Sequence, residues 1–347
     1  MKSIETLIGS LSRAFLSSFG ERFLGGAMQR YILRRLLAVI PTLFFASIIV
    51  FMVIRILPGD AVDLIIKSSP FMEDSEQLRK EIEADLGLDK PMHIQYFYWV
   101  RDIVVYRDLG TSLIRETPVG PDIAERVPVT MTMGILAVVF ALAISIPIGV
   151  YSAMKQDTIG DHVGRSFAIL GLAIPSFWLG TMIVILPAIW WGWSPPSRLV
   201  PFFDEPFRYL SVFVTPAAIL GASLAAVTMR MTRTMMLEVL RQDYIRTARA
   251  KGLSETLVVM RHAIRNALIP VITLIGLFVP YIIGGTVILE RIFDIPGIGQ
   301  LLLLAVQDRD YPVITGIFLM VGIFVISVNL IVDLSYGLLD PKVRDQE

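Results

Sequence analysis

Residues 243–270 read DYIRTARAKGLSETLVVMRHAIRNALIP, a basic segment set between two long uncharged runs. Leu237, Leu240, Tyr244 and Ala248 recur at spacings of three and four, which places them on one helical face. Glu238, Arg241, Asp243, Arg246, Arg249 and Lys251 fill the other faces. Gly252 then offers the left-handed conformation that ends a helix, and Leu253 behind it is placed to pack on the last turn. Ser254 is a fair N-cap for a second helix, with Glu255 in its first turn. That helix runs through Arg261, His262 and Arg265 into the next apolar run. The segment therefore predicts two short helices meeting at a glycine corner.

What lies on either side sets the environment. The chain has 347 residues, 54% of them hydrophobic, and a mean hydropathy of +0.67, well above soluble globular domains. Six long stretches lack Asp, Glu, Lys and Arg: 36–54, 127–154, 166–197, 209–229, 266–289 and 311–332. About 20 apolar residues are needed to cross the hydrocarbon core as a helix, so six spans are expected. The uncharged stretch 295–307 is too short to span. A transmembrane barrel is set aside, because its strands are alternating segments of about 10 residues and these runs are continuous. Pro147, Pro175, Pro187, Pro216 and Pro280 fall inside the runs and are expected to mark kinks or helix ends.

Charge sets the orientation. Residues 230–265 carry eight Lys or Arg, whereas the short loops after the third and fifth runs carry only Arg198 with Arg208 and Arg291 with Arg309. Cations stay on the cytoplasmic side, which puts the basic loop inside and, with six spans, both termini as well. Arg30, Arg34 and Arg35 before the first run agree. One reading of the loop is that its cations only obey this rule. The other is a surface built to touch a second protein, and the glycine corner favours it, since orientation needs charge but not shape.

The organisation expected is a cytoplasmic N-terminal extension at 1–30, a first span at 31–57 and an external segment at 58–126. A five-span core at 127–337 follows, containing the cytoplasmic loop 232–265, and then a cytoplasmic tail at 338–347. The first residues lack the long apolar core of a secretory signal; Phe15, Phe19 and Phe23 with Arg13 and Arg22 suit a surface helix, or else the chain starts naturally at Met28. In the external segment, Leu78, Ile82 and Leu86 form the stripe of a helix from Ser75 to Gly87. Tyr96, Phe97, Tyr98 and Trp99 form an aromatic cluster, either a cap at headgroup level or a docking surface.

The chemistry excluded is as informative. Net charge is zero, which gives no reason to invoke nucleic acid, and no cysteine is present. The three histidines, His93, His162 and His262, are far apart, so no metal site and no cofactor is expected. No GxxxxGK[ST] loop occurs, so any ATP hydrolysis must come from elsewhere. Arg55 and Asp333 sit at span ends, where snorkelling or local pairing is expected. No mid-span carboxylate or histidine supports proton coupling, which disfavours a secondary transporter. Ser145 and Ser223 are isolated and read as helix-packing residues rather than nucleophiles of an intramembrane enzyme.

The chain resembles the inner-membrane permease subunits of binding-protein-dependent ABC importers, in their peptide and nickel branch (dipeptide/oligopeptide permease B-like). Their EAA-type loop motif has a glycine four residues after its final alanine; here Arg246, Thr247, Ala248 and Gly252 occupy those positions, so one alanine and the glycine survive. The branch's own version reads close to DYIRTARAKGL followed by RHAIRNALIP, and this chain is similar almost throughout. LPGD at 57–60, LGLDKP at 86–91, IPSFWLG at 174–180, IPGIG at 295–299, DYP at 310–312 and LDPKVR at 339–344 extend the resemblance from Met28 onward. RDLG at 107–110 departs from it, since members often carry glycine before the aspartate.

The resemblance implies an all-α membrane protein of six transmembrane helices, the type I ABC importer permease fold, with a small external insertion after the first span. It implies no enzymatic activity of its own and a place in a bacterial inner membrane. Its partners would be a second homologous permease, two cytoplasmic ABC ATPase subunits and a periplasmic or lipid-anchored substrate-binding protein. The solute would be dipeptides or oligopeptides, with nickel or glutathione as alternatives. Asp243, Tyr244, Arg246, Thr247, Ala248, Arg249, Ala250, Lys251 and Gly252 would form the ATPase-coupling loop.

Overall fold

The computed structural model describes residues 26–56, 77, 79–80 and 89–339. The expectations for 1–25, the LPGD string, the stripe of Leu78, Ile82 and Leu86, the side chain of Arg55 and the tail from 340 lie outside the described residues. The helices are α1 (Gly26–Ile56), α2 (Met92–Arg101), α3 (Val119–Met154), α4 (Ile159–Ala173) and α5 (Ser176–Trp191). They continue as α6 (Pro206–Leu240), α7 (Asp243–Ala250), α8 (Glu255–Ile292), α9 (Ile298–Gln307) and α10 (Tyr311–Leu339). Among the described residues there is no strand, only an isolated bridge between Thr111 and Pro118.

Five of these, α1, α3, α6, α8 and α10, are long and apolar enough to cross a bilayer. The sixth apolar run is not one straight span. It is the pair α4 and α5, bent by 88° at Ile174 and Pro175. Proline disfavours helical geometry in the residue before it, and Ile174 is extended, with φ −90° and ψ 119°. Pro175 thus breaks its run, while Pro147, Pro187, Pro216 and Pro280 are carried inside helices.

The chain divides into two units, one of residues 47–321 and one joining α1 up to Ala46 with α10 from Gly322. Within the smaller unit Arg35 pairs with Asp333 at 3.3 Å, the local partner expected for a carboxylate at a span end. Within the larger, α3 and α6 form the central seam. Ala137, Ala141, Ser145, Gly149 and Ala153 recur every fourth residue along α3 and are all buried. Small residues at that spacing let two helix backbones approach closely. The approach is tight enough that a Cβ on Gly221 of α6 would stand 2.6 Å from the Ala137 carbonyl. Ser145 is a packing residue of this seam, as expected. Phe213, Leu220 and Leu224 of α6 and Leu289 of α8 fill the core beside it.

Helix direction defines the ends of the larger unit. α3 and α6 both finish, and α8 begins, beside the 243–263 loop, because Ala153, Met236, Ile245, Val258 and Ala263 share one apolar cluster. The start of α3 and the end of α8 therefore meet at the opposite end. Tyr96 and Trp99 of α2 pack on Phe51, with ring centroids 5.5 and 5.7 Å apart. Phe97 and Tyr98 remain exposed, so the aromatic cluster is half cap and half open surface.

Candidate functional site

The basic loop has a buried root and an exposed tip. α6 ends at Leu240, Gln242 is extended at φ −71° and ψ 150°, and the chain turns helical again at Asp243. This restart shifts the phase of the face expected from Leu237 and Leu240. Ile245 and Ala248 are the buried residues of α7, and Tyr244 is exposed, correcting its expected place. Ile245, Val258 and Ala263 are each 0% exposed and pack against Met236 and Ala153. Full burial of an aliphatic side chain stabilises by about 1.5–3 kcal/mol, so this root holds the loop against the bundle.

The corner itself is as the sequence predicts. Gly252 has φ of 78°, the left-handed region, and a Cβ there would meet nothing within 4 Å. Lys251 N–H donates to the Thr247 carbonyl at 3.1 Å and Gly252 N–H to the Arg249 carbonyl at 2.9 Å, closing α7. Across the corner, Arg249 donates from Nε and Nη2 to Glu255 at 3.0 and 2.6 Å. These hydrogen bonds raise the guanidinium above its ordinary pKa. Asn266 donates to the Tyr244 hydroxyl at 2.8 Å, a second tie between the two helices. Ser254 takes the expected N-cap position with extended backbone, and Glu255 stands in the first turn, though the serine side chain makes no cap hydrogen bond. α8 instead passes through a π-helical turn, Val258–Ala263, on its way into the span.

The remaining predicted residues face outward. Asp243, Arg246, Thr247, Arg249, Ala250, Lys251 and Gly252 are exposed, and Ala248 is buried beneath them. Arg246 pairs with Asp243, at 3.2 Å, on the open surface. Among these charges stand Tyr244, Leu253, Leu257 and Met260, all exposed, the last at 64%. A stiff corner, a ring of cations and an apolar tip make a surface fit to seat a protein partner.

Sequence reasoning gave no role to three carboxylates that prove buried, Asp161, Glu290 and Asp310. At the loop end Asp161 is fully buried beside Arg233. At the opposite end Glu290 accepts from the Thr130 hydroxyl at 2.6 Å and from Gln300 N–H at 3.0 Å, while Thr130 Oγ1 in turn accepts from Ile298 N–H at 2.9 Å. Gly297 and Gly299 are required there, since a Cβ at either would collide with the Glu290 carboxyl. Nearby, Asp310 accepts from the Ser112 hydroxyl and from Leu113 N–H, pinning the 107–118 segment to the start of α10. The IPGIG string was the available signal for Glu290: two glycines that close to a carboxylate mark a place where a side chain must sit.

Comparison with known proteins agrees with this architecture. Residues 145–345 match the binding-protein-dependent transport system inner membrane component family, and residues 28–134 match the N-terminal region of such membrane components. A putative peptide transport system permease protein of Brucella abortus is 41% identical over 317 residues, covering 91% of this chain and 99% of that protein. The dipeptide transport system permease protein DppB of Escherichia coli is 38% identical over 343 residues, covering 92% and 100%. The glutathione transport system permease protein GsiC of Salmonella choleraesuis is 37% identical over 317 residues, covering 91% and 99%. Among solved structures, a chain of the MetNI methionine ABC transporter in an inward-facing conformation superposes with a TM-score of 0.51. It is 16% identical and covers 63% of this chain and 96% of that one, which shows the same fold. The chain belongs to the family of inner-membrane components of binding-protein-dependent transport systems.

Proposed function

We propose that this permease passes small peptides from a binding protein across the inner membrane, driven by ATPase subunits that seat on residues 243–263. The observation that carries the coupling role is the contrast within the loop: a root of fully buried aliphatics under an exposed tip of cations and apolar side chains. A floppy loop would absorb a partner's motion, whereas this one is tied across its corner by Arg249 and Glu255. The basic loop faces the cytoplasm by the positive-inside rule, and both termini share that side. A second permease completes the pathway, and two ATPases engage one loop each. The peptide reading rests on relatives named for peptides and dipeptides, and glutathione, itself a small peptide, is the specific alternative.

Gly252→Asp tests the coupling. Aspartate tolerates the left-handed region better than most residues and meets no neighbour at Cβ, so the fold persists while a carboxylate enters the docking surface. In the reconstituted complex we expect solute uptake to fall at least tenfold relative to ATP hydrolysis. Normal uptake per ATP at normal assembly contradicts the reading. Competition among dipeptides, tripeptides and glutathione for uptake by the native complex then assigns the solute.

A further inference from the structure

Resting on that reading of the loop, we propose that Asp161 is a positioning residue that makes the bent α4–α5 pair move with the coupling loop. Asp161 lies in the first turn of α4 and has no solvent exposure. Arg233 of α6 donates to it from Nε at 2.9 Å and from Nη2 at 2.8 Å, a two-pronged pair. The Ser152 hydroxyl at the end of α3 donates to the same carboxylate. Asp157 N–H, in the turn between α3 and α4, donates at 3.0 Å, and Arg165 of α4 stands 3.6 Å away. Asp157 adopts a left-handed φ of 61°, which aspartate takes more readily than most residues other than glycine. One carboxylate thus fastens three helix ends and the turn between two of them.

Stability alone does not account for this arrangement. A buried ion pair is often no more stabilising than apolar side chains of the same volume. What it adds is direction, because a forked guanidinium fixes both distance and angle, and apolar surfaces slide. Its location gives that direction a use. Ser152 adjoins Ala153, and Arg233 lies one turn before Met236; Ala153 and Met236 are the residues on which the loop root of Ile245, Val258 and Ala263 sits. The side chains that receive displacement from the loop and those that hold Asp161 are neighbours on the same two helix ends. α4 then leads directly to the 88° break and α5. Without the Asp161 bond, α4 meets α6 through the apolar packing of Ala168 on Ala226 and Met229, a surface that lets the two helices slide.

The test uses the complete transporter reconstituted with its binding protein and ATPases, with a transported dipeptide as the probe. The readout is dipeptide accumulated per ATP hydrolysed. Asp161→Asn removes the charge, and Arg233→Lys keeps a cation but loses the fork. Both are expected to hydrolyse ATP within twofold of the native complex and to lower the ratio, about tenfold for Asp161→Asn and several-fold for Arg233→Lys. A purely structural role lowers assembly and both activities together and leaves the ratio intact, which overturns the proposal. Should Asp161→Asn fail to assemble, Arg233→Lys decides by the same ratio. Gly252→Asp, run alongside, separates the two ideas. If it uncouples while both ion-pair variants stay coupled, only the Asp161 proposal falls; if it stays coupled, the loop reading falls with it.

Discussion

The two ends of the 47–321 unit use charge in opposite ways. At the loop end, Asp243, Arg246, Arg249 and Lys251 stand in solvent above an apolar root. At the other end, Glu290 and Asp310 are buried and each satisfies backbone and hydroxyl donors of a neighbouring element. The first arrangement leaves recognition groups available to something outside the chain; the second spends them all inside it. An exposed charged surface, open to the partner proposed for it, and a joint within the fold therefore differ in where the hydrogen-bonding capacity goes. Asp161 is the exception at the loop end, a buried joint immediately behind the exposed surface.

That contrast is breakable. The largest effect is expected from Glu290→Ala, which strands the Thr130 hydroxyl and the Gln300 N–H in a buried site. Each unsatisfied group costs about 1–3 kcal/mol, so the loss is about 2–6 kcal/mol, read as a lower thermal midpoint of the purified chain in detergent. A shift no larger than that of a surface substitution would place Glu290 outside the joint described. The smaller effect is Arg249→Ala. An exposed ion pair contributes about 0.2–1 kcal/mol, so the midpoint should barely move while coupling of the assembled transporter declines as the corner loosens. If instead the midpoint falls as far as for Glu290→Ala, the loop is a structural joint and the contrast between the ends disappears.

Much of this was legible from residue order. Uncharged runs located the spans because the bilayer core excludes charge over a fixed thickness, and Gly252 announced its corner because few other residues take φ of 78° without strain. Pro175 ends a helix, one of the outcomes expected of the five prolines, but a charge count could not tell it from one carried inside a helix, such as Pro147. Tyr244 was assigned to the wrong face because Gln242 interrupts the helix and resets its phase by less than a turn. Glu290, Asp161 and Asp310 drew no notice in the sequence because each bounds a long uncharged run or a turn, and whether such a position is buried is decided by tertiary packing. Arg107 carries a related lesson. At the RDLG string it holds φ of 55°, the left-handed region that glycine takes without strain, which the residue type alone does not announce.

The central claim is that residues 243–263 seat an ATPase subunit, and contact is its most direct test. The chain has no cysteine, so Thr247→Cys, on the exposed face of α7, provides a single thiol. In membranes containing the assembled transporter, a short thiol-reactive crosslinker is expected to join that position to the ATPase subunit, with a yield that changes when ATP is bound. Crosslinks to lipid or to other permease residues alone, with the ATPase present and active, would contradict the account.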